Sequence, residues 1–186
     1  MQLIRCTKKL QKEMGLKPSD LCADEPRFSF LGPWHANLIH IDRRKCILFV
    51  NDKTLFNFIA PDVSRETIRN LDRLFVGYLS CVLADEGFIE ADRARILSEY
   101  EEVGFANTNT NTNTNTNTNT NTNSKSVLGS MTELAFHYKH HILEAGGVHS
   151  PTVPGIIREL NRMPMSAIQE VFPIKALNAV YQTAEM

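Results

Sequence analysis

The most informative pattern of hydrophobic and polar positions lies between Trp34 and Ile59. Residues 36–42 and 45–51 are rich in Ile, Leu, Val and Phe, and a polar segment separates them. Two such runs joined by a short polar connection predict a β-hairpin. Residues 54–59 follow as a third strand, which Pro61 ends. The pattern therefore predicts a small antiparallel meander over about 36–59, and residues 2–6 add an N-terminal strand.

The alternation within the hairpin predicts which residues share a face. Pairing Ile41 with Cys46 places Ile39, Leu48 and Val50 on the same face as these two residues. The opposite face is also largely apolar, so we expect the ribbon to be covered on both sides. A type I′ turn needs positive φ at both central residues, which suits consecutive arginines poorly. We therefore expect a four-residue loop on a type I turn, with Asp42 in the first position and facing Lys45.

Elsewhere, apolar residues recur at the spacing of helices. The clearest helix begins after Ser64 as N-cap and ends near Gly87, and a second runs from about Glu90 to Val103. Ser130 and Glu133 have the spacing of a capping box, which predicts a helix that starts there and ends near Glu144. Shorter helices are predicted at about 8–14, 154–162 and 174–182. Five to six helices packed with a small antiparallel sheet indicate the α+β class.

An Asn-Thr dipeptide repeat interrupts the chain at 107–122 and, with the following Asn, defines a low-complexity insert at 107–123. The repeat has no apolar face, so burial cannot offset the entropy of ordering it. We interpret it as a poorly ordered surface insert. The alternative, a regular threonine array on a flat β-surface, lacks the residues that a solenoid core would need. The remaining 170 residues fit one domain, so 1–186 is predicted to be a single domain.

Charge and cysteine content narrow the class of protein. The chain has 20 Lys and Arg against 21 Asp and Glu, but residues 1–50 carry a net charge of +4 and residues 51–105 carry −5. This asymmetry predicts a basic sheet layer against acidic helices, and it falls short of a dedicated nucleic-acid binder. The four cysteines are widely spaced, and neither an apolar leader nor a run of about 18 apolar residues is present. We expect a reduced, soluble, cytoplasmic protein with no membrane partner.

The first candidate site binds anions. Arg43, Arg44 and Lys45 crowd the predicted hairpin tip, and Gly129 and Ser130 begin a predicted helix, whose free N–H groups attract negative charge. If the fold brings the two together, a phosphate or a nucleic-acid backbone fits between them. The alternative is that the arginines form a solvated turn or pair with the acidic residues at 99–102.

Other candidate sites are weaker. His137 and His141 are separated by one helical turn, which suits zinc, but no carboxylate follows at the spacing of a known metal motif. We therefore predict no metal and no other cofactor. A G-x-S-x-G elbow is absent, so no catalytic residue is assigned. The segment Trp34-His35-Ala36-Asn37 is a candidate for lining a pocket where the hairpin begins. Trp34 is more readily explained as an anchor between the preceding loop and the core.

Several phrases together carry a family resemblance: Trp34-His35-Ala36-Asn37, Asp42-Arg43-Arg44-Lys45-Cys46 and Ser126-Val127-Leu128-Gly129-Ser130-Met131. The chain resembles a bacterial and archaeal family of uncharacterised proteins, catalogued as a domain of unknown function. The resemblance implies that relatives run almost directly from a phrase like Phe105-Ala106 into one like Asn123-Ser124, so the repeat is peculiar to this chain. Some similar domains lie ahead of a plasmid-encoded domain, which implies a link to mobile elements. The resemblance supplies no catalytic residues.

Two functions remain in competition. We expect a non-catalytic binding or accessory module, whose partner is a protein or a nucleic acid. The alternative is a small phosphate- or nucleotide-handling enzyme that uses the basic hairpin tip. Convergent carboxylates in a deep pocket would favour the enzyme, and a flat basic surface or an exposed apolar patch would favour the module.

Overall fold

A five-stranded mixed sheet lies at the centre of the computed structural model, which describes residues 1–22, 29–108, 121–168 and 170–182. The strand order is β4-β3-β2-β1-β5, where the strands are β1 (Gln2–Cys6), β2 (Trp34–Ile41), β3 (Arg44–Asn51), β4 (Asn57–Ala60) and β5 (Val103–Asn107). The antiparallel meander β2-β3-β4 is confirmed. The N-terminal strand is confirmed too, and it pairs in parallel with β2 and with β5, a strand that the sequence pattern did not predict.

The helices complete the α+β class, which is confirmed. They are α1 (Lys8–Met14), α2 (Arg65–Arg69), α3 (Leu71–Asp85), α4 (Glu90–Ser98), α5 (Asn121–Glu144), α6 (Val153–Leu160) and α7 (Pro173–Gln182), with a short 3₁₀ turn at Pro18–Asp20. Ser64 caps α2 as predicted, because its Oγ accepts a hydrogen bond from Thr67 N at 3.1 Å. The single helix expected as far as Gly87 is instead broken at Asn70, whose φ and ψ are −107° and 49°. None of the helices in the described ranges is long and apolar enough to cross a membrane.

The hairpin turn differs from the prediction. Asp42 and Arg43 form a two-residue turn with φ of 45° and 60°, so Ile41 pairs with Arg44 and Ile39 with Cys46. The predicted four-residue loop and the Asp42–Lys45 pair are therefore wrong. The two-residue turn matches the twist of the strands and keeps their pairing intact up to the tip, and Asp tolerates positive φ better than most residues. The assignment of residues to faces survives, because a shift of two residues leaves every side chain on its own side.

Both faces of the sheet are covered, as the apolar hairpin predicts. On the first, the aromatic face, Trp34, Phe49 and Phe58 pack with Phe75 of α3, and the ring centroids lie 5.0 to 5.9 Å apart. The other face carries Arg5, His35, Val50 and Asn57 in one row across the sheet. We call it the α5 face, because α5 and α6 pack against it.

The start of α5 contradicts a second prediction, namely that a helix begins at Ser130. The helix begins at Asn121, so Ser130 lies nine residues inside it and is buried, with 8% exposure. Thr132 Oγ1 donates to Leu128 O at 3.0 Å, as hydroxyl groups inside helices do. The predicted capping box is therefore wrong, because a local pattern was taken for a helix start. Of the predicted insert, Asn107 ends β5, residues 121–123 belong to α5, and 109–120 lie outside the described residues.

Candidate functional site

Parallel strands β1 and β5 are neighbours whose connections leave the sheet toward opposite faces. After β1 the chain enters α1, where Glu13 bonds to Lys45 and Lys9 contacts His40 on the aromatic face. After β5 the chain leads to α5, where Tyr138 Oη donates to Asn57 Oδ1 at 2.8 Å on the other face. In open sheets with parallel strands, ligands commonly bind where neighbouring connections diverge in this way. The fold therefore makes the carboxyl end of β1 a candidate position for a binding site.

A buried charged cluster lies on the α5 face beside this point. Arg5 and His35 are cross-strand neighbours on β1 and β2, and Asp52 follows β3. Asp52 Oδ2 accepts a hydrogen bond from Arg5 Nη1, and Oδ1 lies 3.0 Å from His35 Nε2. The His35 side chain is fully buried, whereas those of Arg5 and Asp52 keep 13% and 17% exposure. We call this group the Arg5–His35–Asp52 cluster.

Two members of the cluster, His35 and Asp52, have buried polar atoms that make no hydrogen bond with the described residues. Although His35 Nε2 and Asp52 Oδ1 are close, they are not aligned as donor and acceptor. In the described parts of the chain, neither ring nitrogen of His35 has a hydrogen-bond partner, and no group donates a hydrogen bond to Asp52 Oδ1. Buried polar atoms without partners are rare in folded proteins and call for an explanation, such as a bound water or ligand.

Uncharged polar side chains form a rim at the carboxyl end of β1. Thr7 Oγ1 donates to Asn37 Oδ1 at 3.2 Å on the α5 face. Gln11 Nε2 donates to Cys6 O at 2.7 Å and to Asn107 Oδ1 at 3.0 Å, so it bridges β1 and β5. Asn37, a candidate from the sequence, thus belongs to this rim. The arrangement offers both donors and acceptors to a bound molecule.

The predicted basic tip lies elsewhere, at the far end of the hairpin. Arg43 occupies the turn itself, Arg44 Nη1 lies 3.5 Å from Asp62 Oδ1, and Lys45 Nζ bonds to Glu13. The acidic partners of the tip are therefore Asp62 and Glu13, and not the residues at 99–102.

The tip continues into a wider cluster of positive charge. The hydrogen bond from Lys45 is the main cause that lowers the pKa of Glu13, and the charges of Lys45, Arg65 and His40 add to it. Burial lowers the pKa of His40, and the charges of Lys9 and Lys45 lower it further. We call Lys9, His40, Arg43, Lys45 and Arg65 the basic surface.

The structure does not place Gly129 and Ser130 at this tip. The carboxyl-terminal end of α5 is the end that approaches it, since His149 Nε2 lies 3.1 Å from Asp62 Oδ2. Gly129 precedes Glu144 by 15 residues within α5, which corresponds to about 22 Å along the helix axis. The anion site built from both groups therefore has no geometric support.

The remaining candidates are the histidines of α5 and the four cysteines. The rings of His137 and His141 have centroids 6.2 Å apart, and the neighbouring His140 contacts Glu144 at 3.1 Å. The described residues contain no group of three or more His, Cys, Asp or Glu side chains arranged to hold a metal ion. All four cysteines are free thiols, of which Cys6 and Cys46 are buried.

Trp34 lies in the core, as the anchoring interpretation expects. It is fully buried, and its Nε1 donates to Tyr100 Oη at 2.7 Å. Tyr100 Oη in turn donates to Gly32 O at 3.0 Å, which ties the loop before β2 to the aromatic face. Burial is the main cause that raises the pKa of Tyr100 well above 10.0, so its hydroxyl stays a donor.

Sequence reasoning did not select Arg5 or Asp52 as site residues, and it named His35 only as part of the segment from Trp34 to Asn37 where the hairpin begins. The available signal was a histidine between Trp34 and Ala36 on an otherwise apolar strand. That signal gained meaning only through the parallel register, which pairs Arg5 with His35. Periodicity along the chain does not reveal which strand lies beside another.

Comparisons with known proteins identify a family without a function. Residues 3–119 and 111–176 match the family described as a domain of unknown function, DUF6933. No curated protein and no solved structure matches the chain. The resemblance to an uncharacterised family that the sequence phrases carried is thereby confirmed. Because the two matched segments span most of the chain, the chain belongs to the DUF6933 family of domains of unknown function.

Proposed function

We propose that this domain is a non-catalytic binding module whose basic surface contacts the phosphate backbone of a nucleic acid. The carrying observation is the convergence of Lys45, Arg65 and His40 around the carboxylate of Glu13, with Lys9 in contact with His40. Asp62 and Glu13 form ion pairs with Arg44 and Lys45, whereas Lys9, Arg43 and Arg65 form no ion pair with the described residues. All three are exposed and able to reach a phosphate.

The charge balance of the whole chain determines how strongly we expect it to bind nucleic acid. A formal net charge of −1 gives no long-range attraction for nucleic acid, so binding depends on this local surface. Contact with about four phosphates would weaken affinity roughly 100-fold between about 50 and 200 mM salt. We therefore expect modest, salt-sensitive and sequence-independent binding, suited to an accessory role in the cytoplasm.

A phosphate-handling enzyme at the same tip is the less favoured function. Arg44 and Lys45 already face carboxylates, and the Arg44 side chain is 58% exposed. Phosphate chemistry usually relies on preorganised charge in a water-excluded site. A nucleic-acid binding experiment distinguishes a nucleic-acid partner from a protein partner.

The test is fluorescence anisotropy with labelled double-stranded DNA, single-stranded DNA and RNA at about 50 and 200 mM salt. The double variant Lys9→Ala/Arg43→Ala is compared with Lys139→Ala/Arg158→Ala, which removes the same charge from exposed positions on α5 and α6. We expect the first variant to lose about tenfold in affinity or more and the control to retain it. Equal losses in both variants, or no binding at low salt, would contradict the proposal and favour a protein partner.

A second readout uses His40. Burial lowers its pKa below the ordinary value of 6.5, and the charges of nearby Lys9 and Lys45 lower it further. A bound phosphate favours the protonated imidazole, so the pKa of His40 should rise when nucleic acid binds. An NMR titration of the His40 ring with and without DNA measures this change, and His140, on α5, serves as the internal reference.

A further inference from the structure

We propose that the exposed side of α5 is an interface through which two copies of this chain associate in antiparallel orientation. Phe136 lies at its centre, and every other exposed residue between Gly129 and Leu143 lies three, four or seven positions away from it. At about 100° per residue, such spacings keep side chains within about 60° of Phe136 around the helix axis. We call this side of the helix the Phe136 surface, and its other members are Gly129, Thr132, Glu133, Lys139, His140 and Leu143.

The centre of the Phe136 surface is aromatic and apolar. Phe136 is 68% exposed, and Leu143, two helical turns later, is 44% exposed. The ring of Phe136 stacks on that of His140 with centroids 6.3 Å apart, and it meets the ring of His137 edge to face at 5.8 Å. Exposed aromatic side chains that neighbouring rings hold in place are typical of protein interfaces.

Gly129 provides a second observation. A β-carbon added at this position would meet no described atom within 4 Å, so the packing of this chain does not require glycine, although glycine disfavours a helix. Glycine does permit the close approach of another molecule. In an antiparallel pair centred on Phe136, Gly129 of one copy is level with Leu143 of the other, because each lies seven residues from the centre. The missing side chain leaves room for the exposed leucine.

The charges identify the partner as a second copy of the chain. Glu133 precedes Phe136, whereas Lys139 and His140 follow it. Neither Glu133 nor Lys139 forms an ion pair with the described residues, and Glu144 contacts His140 of its own chain at 3.1 Å. Antiparallel pairing places the acidic end of each Phe136 surface against the basic end of the other, whereas parallel pairing would oppose like charges. The surface is therefore complementary to itself, as a two-fold interface requires.

The size of the contact determines the concentration range of the test. The Phe136 surface is about 21 Å long, and a contact between two such helix faces is small for a protein interface, so we expect a weak dimer. Sedimentation equilibrium of the full chain from about 10 μM to about 1 mM should show a mass that rises from one copy toward two and not beyond. Phe136→Ala should weaken the dimer about tenfold or more. Ile89→Ala, which removes an apolar side chain of 65% exposure outside α5, should leave it unchanged.

A charge exchange tests the antiparallel arrangement. Glu133→Lys brings positive charges to the same level of the paired helices and should weaken the dimer, whereas Glu133→Lys/Lys139→Glu should restore it. The two positions are six residues apart and point about 120° apart on one helix, so an interaction within one chain does not explain a rescue. Gly129→Ala should also weaken the dimer. Gly77→Ala on α3, where an added β-carbon likewise meets no described atom within 4 Å, is its control.

The proposal is wrong if the chain remains a monomer at about 1 mM, or if Phe136→Ala and Ile89→Ala associate equally well. Failure of the double charge variant to associate more tightly than Glu133→Lys would also contradict it. Circular dichroism checks that each variant is folded, and should Phe136→Ala fail to fold, the charge exchange decides the question. Nucleic-acid binding is measured separately, so the two proposals can fail independently.

Discussion

The side chain of Asn161 hydrogen-bonds to the backbone of β4, the edge strand of the sheet, where a neighbouring strand would otherwise pair. Its Oδ1 accepts from Asn57 N at 2.9 Å and its Nδ2 donates to Asn57 O at 2.8 Å, so one side chain satisfies the exposed backbone of β4. Asn57 is further held by Tyr138 on α5. Edge strands need such protection, and a fully satisfied buried network fixes one arrangement of α5 and α6 against the sheet.

We predict that Asn161→Ala lowers the free energy of unfolding by about 2 to 4 kcal/mol, because it leaves a buried N–H and a buried C=O without partners. Urea denaturation of the parent and the variant measures the change. Asn161→Asp, which has the same shape but lacks the donor groups, should also destabilise the fold. If Asn161→Ala costs no more than the exposed control Asn70→Ala, the network does not carry this energy.

Glu99 provides a stability change that depends on pH. Burial is the main cause that raises the pKa of its carboxyl above the ordinary value of 4.5, although Leu31 N donates to it at 3.3 Å. A carboxyl with a raised folded-state pKa stabilises the fold in its protonated form. That contribution is present below about pH 4.5 and is lost as the pH rises through the raised value.

We therefore predict that Glu99→Gln, which resembles the protonated carboxyl, raises the melting temperature at pH 7 and has little effect near pH 4. Thermal unfolding of both proteins between pH 4 and pH 8 gives the two curves. They should converge at acid pH and separate above it. Parallel curves would show that Glu99 is not the group responsible.

At the scale of elements, the β2-β3 turn keeps two residues that are poorly suited to its geometry. Asp42 and Arg43 both have positive φ, which Asn and Gly adopt more easily. We predict that Asp42→Asn/Arg43→Gly raises the free energy of unfolding by about 1 to 2 kcal/mol. Arg43→Ala removes the same charge without relieving the backbone and should not stabilise the protein. Urea denaturation compares the three proteins, and equal stability of the two variants would contradict a backbone origin.

The elements that the sequence predicted correctly are those determined by interactions between residues close together in the chain. Ser64 and the apolar alternation of β2 and β3 act within a few residues, so the α2 cap and the meander were predictable. β5 was not, because Val103–Asn107 is short and does not alternate clearly. The register error at Asp42 arose because tertiary pairing outweighed the turn preference of Arg43. His35 could not be linked to Arg5 without knowing that their strands pair, so the Arg5–His35–Asp52 cluster was beyond sequence reasoning.

At the scale of the molecule, the Asn-Thr repeat interrupts a family domain. The two matched segments, 3–119 and 111–176, overlap within the repeat. β5 ends at the first residue of the repeat, Asn107, and α5 begins near its end, at Asn121. Both elements belong to the same sheet-and-helix core. The cost of closing a loop grows only slowly with its length, so an insert at this point adds little to the free energy of folding.

We predict that deleting 109–120 changes the melting temperature by no more than about 3 °C and leaves one cooperative unfolding transition, as the single-domain prediction requires. Thermal unfolding measures both quantities, and a variant lacking only 113–120 controls for the length of connection that α5 needs. If both deletions lower the melting temperature strongly, the repeat contributes to folding. If only the longer one does, β5 and α5 need a longer connection but no particular sequence.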